Sequence, residues 1–207
     1  MTGQRQAAMD PTEATGRTAP RPRRDRLRMA IAIVATVVAV AIAALAMGGG
    51  PGGGFTSVTL TGDRSGSPPA VGALAPDFTA TTVDGETVSL RSLRGRPVWL
   101  TFGASWCIDC RAEAPDLQAA YEAFAGRGLA VLGVFIAEDA TAVADYAERV
   151  GLTMPLVADP QTRIASRYRL RGLPTHYFID ADGVIRGIRL GGLQPAEMER
   201  LLTALLE

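Results

Sequence analysis

The chain has 207 residues, a formal net charge of zero, two cysteines and one histidine. All of its basic residues are arginine, and residues 1–28 hold seven of them against three acidic residues, a net of +4 that leaves the body slightly acidic. Nucleic-acid-binding proteins carry a basic face, so the acidic body argues against DNA or RNA as a partner.

Residues 1–28 mix Arg, Pro, Thr and Gly with almost no apolar content, which predicts a disordered N-terminus. Met29–Met47 follows without a charge, and as a helix it would span roughly 28 Å, near the hydrocarbon thickness of a bilayer. With the arginines on its N-terminal side, the positive-inside rule predicts a cytoplasmic N-terminus, a single-pass signal-anchor in the cell membrane and an extracytoplasmic C-terminal domain. A cleaved signal peptide is the competing reading, since Ala44-Leu45-Ala46 fits a small-residue cleavage pattern and the product would be secreted. Residues 48–72, rich in Gly and Pro, read as a flexible linker with a reach on the order of 30 Å.

The pattern turns globular over residues 73–207, enough chain for a real core. Phe78–Val88 alternates around Asp84-Gly85, a hairpin signal. Pro97–Gly103 is a short apolar run of the kind found in central strands, a helix is expected from about Cys107 to Phe124, and Leu129–Ala137 reads as a second buried strand. Asp139 is an expected N-cap for a helix ending at Val150 before Gly151. Asp159-Pro160 predicts another helix start, with proline in the first turn. Thr175–Ile179 and Val184–Leu190 read as strands joined by a turn at 180–183, and Pro195 opens a last amphipathic helix. This order predicts an α/β sandwich with a mixed sheet.

Both cysteines lie in Cys107-Ile108-Asp109-Cys110, preceded by Trp106. Two thiols at this spacing can close and open a small ring by thiol–disulfide exchange. A cysteine at a helix start sits where the dipole and free N–H groups stabilise a thiolate. Cys107 takes that place, while Cys110, one turn inward, is expected to be more shielded and to resolve a mixed disulfide. Zinc is a rival that would need two further ligands. An inert bridge is another, although it would close too small a loop to constrain the chain much.

Trp106-Cys107-Ile108-Asp109-Cys110 with Pro115, and Gly172-Leu173-Pro174-Thr175 downstream, resemble the thioredoxin superfamily. Residues 73–207 are similar in particular to its membrane-anchored TlpA/ResA-like branch. Ala75-Pro76-Asp77-Phe78, Asp84-Gly85, Leu90 and Leu93-Arg94-Gly95 match that branch's N-terminal hairpin extension, and the helix at Ala140–Val150 its central insertion. The resemblance implies a thioredoxin-like three-layer sandwich, a disulfide between Cys107 and Cys110, and thiol–disulfide oxidoreductase activity without cofactor or metal. It also implies partners: exported proteins bearing disulfides, such as apocytochrome c or copper-site cysteines, and a transmembrane thiol electron donor.

Pro174 matches the family's cis-proline, with an ordinary trans proline as the alternative. Trp106, Leu173, Pro174 and Thr175 are then expected to meet the partner. Glu113, one turn past Cys110 on the same helix face, matches a family glutamate and could carry a proton for the cysteines; the alternative is a solvated helix residue. Thr101 stands where many thioredoxins have a buried aspartate, which leaves Glu113 as the obvious carrier. Ile108 and Asp109 tune the pair: Asp109 should disfavour a neighbouring thiolate and so favour the reductase direction. The reverse reaction, as oxidase or isomerase, stays open, as do a peroxiredoxin-like peroxidase and a Cu(I) carrier. His176 reads as a strand residue or a tuning group, and Trp99 as core.

Overall fold

The computed structural model describes residues 28, 31–38, 57–60 and 68–207. The chain forms two units, residues 1–50 and 51–207. In the first, residues 31–38 are helical, with Ile31, Ile33, Val34, Val37 and Val38 exposed and the Thr36 hydroxyl donating to the Ala32 carbonyl oxygen at 2.8 Å. Among the described residues no helix is long and apolar enough to cross a membrane. The remainder of the Met29–Met47 segment, residues 1–27 and most of the expected linker lie outside the described residues.

The second unit is built on a five-stranded mixed sheet. Its strands are β4 (Val98–Gly103), β5 (Ala130–Ile136), β6 (Leu156–Asp159), β7 (Thr175–Ile179) and β8 (Ile185–Leu190), in the order β6-β5-β4-β7-β8. β4, β5 and β6 run parallel; β7 and β8 are antiparallel. Side chains alternate across a strand, and β4 uses the alternation to feed two cores. Val98, Leu100 and Phe102 join a cluster with Phe78, Ile164 and Tyr168 on one face. Trp99 faces the other way into Leu117, Tyr146, Met198 and Phe178. The helices α1 (Ile108–Ala125), α2 (Ala140–Val150) and α4 (Pro195–Leu206) cover that second face. The first is covered by α3 (Arg163–Tyr168) and a small antiparallel sheet of β1 (Thr59–Leu60), β2 (Phe78–Thr81) and β3 (Thr87–Ser89). The result is the expected three-layer arrangement with a hairpin extension.

Several boundaries follow from local chemistry. The Asp139 side chain accepts from the Ala142 N–H at 2.9 Å, and Gly151 at φ 77° closes α2 in the left-handed conformation that glycine tolerates best. Thr59–Leu60, within the stretch read as linker, pairs with β2, and Val58 beside it is buried.

One expectation needs correction. Asp159-Pro160 does not open a helix: Leu156–Asp159 is the fully buried edge strand β6, and α3 begins at Arg163. Asp159 still serves that helix from a distance, its carboxylate accepting from the N–H groups of Arg163 at 2.7 Å and Ala165 at 2.9 Å. Burial pushes its carboxyl upward, and those bonds and the Arg163 charge oppose the rise.

Candidate active site

The site grows out of the end of β4. After Gly103 the chain turns through Ala104, Ser105 and Trp106 and enters α1, with Cys107 as N-cap. Its sulfur accepts from the Cys110 N–H at 3.2 Å, where free amide groups and the helix dipole favour negative charge. Cys107 and Cys110 are joined in a disulfide. They are 8% and 9% exposed, so the expected difference in shielding is not present in the oxidised pair. Gly103 lies behind them, and a Cβ there would sit 3.6 Å from the Cys110 sulfur.

A groove of about 700 Å³ opens beside Cys107, lined by Trp106, Ile108, Ile136, Leu170, Arg171 and Leu173 among others. Trp106 is 58% exposed and Ile108 79% exposed, a large apolar presentation at the mouth of the disulfide. Leu173 packs against the small cluster formed by Ala104, Cys107 and Cys110. The Leu173–Pro174 peptide is cis, as the resemblance implies. Pro174 is buried and shares a small cavity with Cys110 and Glu113. Thr175 departs from its expected place at the partner surface. It is 4% exposed, and its hydroxyl donates to the Gly172 carbonyl oxygen at 2.7 Å, which shapes the loop. Asp109 is exposed in the first turn of α1.

Glu113 is not a solvated helix residue. It is 5% exposed, and its Oε1 lies 3.4 Å from both the Leu193 N–H nitrogen, which donates to it, and His176 Nε2. His176 is fully buried, with Nδ1 3.0 Å from the Thr101 hydroxyl. The two are cross-strand partners on β4 and β7, so register brings them together.

Glu138, which no motif marks in the sequence, also supports the site. Its carboxylate accepts from the Ser105 N–H at 2.7 Å and from the Ser105 hydroxyl, tying down the loop two residues before Cys107. Nothing in the local pattern marks it, because the partners are 33 positions apart.

A buried-sheet scaffold that presents a two-cysteine disulfide at a helix start, with a cis-proline on the adjoining loop, defines a thioredoxin-like thiol–disulfide oxidoreductase. Comparison with known proteins narrows this. Residues 71–188 match the AhpC/TSA family, and the chain belongs to that family. Thiol-disulfide oxidoreductase ResA of Geobacillus kaustophilus (strain HTA426) is 35% identical over 136 residues, 66% of this chain and 78% of that protein. The crystal structure of a thiol:disulfide interchange protein of the thioredoxin family from Chlorobium tepidum TLS matches with TM-score 0.60 and 29% identity, over 69% of this chain and 99% of that one. A secreted Mycobacterium tuberculosis disulfide oxidoreductase homologous to E. coli DsbE matches with TM-score 0.57 and 28% identity, over 62% of this chain and 96% of the other.

Proposed function

We propose that this oxidoreductase is a membrane-tethered, extracytoplasmic reductase of disulfides in exported proteins. The observation that carries the reading is the Cys107–Cys110 disulfide at the mouth of the Trp106–Leu173 groove. In the reduced enzyme the Cys107 thiolate attacks one sulfur of a partner's disulfide. An enzyme–partner disulfide forms and the partner's other sulfur leaves as a thiolate. Cys110, deprotonated, then attacks the Cys107 sulfur, closing the internal disulfide and releasing the partner's second thiolate. Two electrons pass to the partner, and both its thiolates take up protons. A membrane thiol donor must return two electrons before the next cycle. Glu113 is the carboxylate placed to take the Cys110 proton, and Trp106, Ile108, Leu173 and Pro174 meet the partner.

The tether rests on the uncharged Met29–Met47 segment, its flanking arginines and the exposed apolar side chains of helical residues 31–38. The secreted relative supports an extracytoplasmic setting. Apocytochrome c and copper-site proteins are the substrates that the resemblance favours.

Trapping tests the reading. Cys110→Ser keeps the attacking sulfur and removes the resolving one, so mixed disulfides with exported proteins should accumulate through Cys107 and vanish in Cys107→Ser. Catalysed reduction of a model disulfide protein by wild type should be lost in both. An absence of trapped partners together with absence of reducing turnover would refute it.

A further inference from the structure

The buried contact between His176 and Glu113 is unusual chemistry for a core. Both groups titrate, both are at least 95% buried, and they approach to 3.4 Å. His176 Nε2 makes no aligned hydrogen bond, so an unpartnered polar atom faces a carboxylate oxygen in a low-dielectric setting. The other ring nitrogen is tied to Thr101, and the ring is wedged against Trp99 with centroids 5.9 Å apart. Among the described residues, and apart from His176, the Glu113 carboxylate has a single long bond, from the Leu193 N–H. A buried carboxylate so poorly supplied with donors takes its orientation from what stands next to it.

The surroundings supply few substitutes. On α1, Cys110 lies one turn back, and Asp109 and Asp116 share a surface groove with Glu113. On α2, Tyr146 borders the same small cavity as Glu113, Cys110, Thr101 and Pro174, with its hydroxyl unpartnered. Burial pushes the Tyr146 phenol up, with Arg111 and Arg149 opposing, so it stays protonated at neutral pH. That cavity, about 20 Å³, has room for one water between these groups. His176 Nε2, 3.4 Å away, is the side-chain nitrogen that faces the Glu113 carboxylate among the described residues.

Resting on the redox reading above, we propose that His176 is a positioning residue for dithiol exchange: with Nδ1 accepting from the Thr101 hydroxyl, its Nε2–H faces Glu113 and holds that carboxylate aimed to receive the Cys110 proton. In the resolving step the Cys110 S–H bond breaks and its proton goes to Glu113. The thiolate electron pair forms the bond to the Cys107 sulfur, and the partner thiolate leaves. Glu113 then returns the proton to solvent or to the departing thiolate.

The test separates the two half-reactions over a range of pH. Single-turnover kinetics with a model disulfide protein give the rates at which the mixed disulfide forms and is resolved, in wild type, His176→Phe, His176→Gln and Thr101→Val. His176→Phe should slow resolution about tenfold at neutral pH, part of the usual general-base contribution, and move the rise of that rate to higher pH. Mixed-disulfide formation should change less than twofold. His176→Gln, whose amide keeps an N–H toward Glu113, should recover most of the rate. Thr101→Val leaves the ring in place but frees Nδ1, and should show the same pH displacement in weaker form, which keeps the test open if His176→Phe fails to fold. Resolution at the wild-type rate and pH profile in the folded variants would overturn the inference, as would equal impairment of His176→Gln and His176→Phe. Wild type that forms no mixed disulfide would instead refute the parent reading.

Discussion

Glu138→Ala removes the clamp on the loop that delivers Cys107. The carboxylate accepts two bonds from Ser105, one from its N–H at 2.7 Å and one from its hydroxyl. A buried hydrogen bond to a charged group is worth about 1.5–3 kcal/mol net. Both residues are only part-buried, so water replaces some of what is lost, and we expect a total destabilisation of about 1.5–3 kcal/mol rather than twice that. For a unit of this size, that is a drop in Tm of about 5–9 °C. Glu138→Gln preserves the geometry without the charge and should lose about half as much. Urea unfolding of the oxidised proteins measures the stability. Mixed-disulfide formation by reduced protein measures the consequence for function, expected to slow several-fold in Glu138→Ala because the Ala104–Trp106 turn no longer has a fixed end. Stability within about 0.5 kcal/mol of wild type, the range of an unremarkable surface change, together with unaltered exchange, would refute the clamp.

Two other outcomes follow from the structure. Burial pushes the Tyr168 phenol well above the usual tyrosine range, with Tyr177 and Asp77 adding to the rise, and burial also raises Tyr177 and Tyr146. Each such group holds its proton more tightly folded than unfolded. Its contribution to stability is therefore intact below about pH 10 and lost as pH climbs above that, by up to about 1.4 kcal/mol per pH unit per group. Tyr168→Phe should shallow this alkaline decline in urea titrations, while costing about 1 kcal/mol at neutral pH through loss of the 2.8 Å bond to the Pro76 carbonyl oxygen. Deleting residues 1–47 should move the protein from the membrane to the soluble fraction after cell breakage and leave disulfide reduction in solution unchanged.

Much of this was legible in the sequence because the physics is local. The alternation around Asp84-Gly85, the apolar runs of β4 and β5, the Asp139 cap and the paired cysteines all act within a few residues, and each stands where the pattern placed it. β6 was not legible: a four-residue buried run that ends in Asp159 just before Pro160 imitates a helix start, and only pairing with β5 makes it a strand. Asp159 explains the imitation, since it does serve α3 as an acceptor, four to six residues ahead. The burial of Glu113 and its meeting with His176, 63 positions further along the chain, depend on how α1 packs across the sheet, and no local pattern carries that. The burial of Thr175 escapes the local pattern for a similar reason. The loop curls so that its hydroxyl turns inward to Gly172.

The reduction potential of the Cys107–Cys110 pair tests the central claim most directly. It would be measured in defined thiol buffers through the fluorescence of Trp106, which stands exposed beside the disulfide. A reductase of exported disulfides should give about −250 mV or lower, in the range of thioredoxin-like reductants. A value of about −120 to −180 mV would place the pair with oxidases and isomerases, and the direction of electron flow argued from Asp109 and from the resemblance would be contradicted.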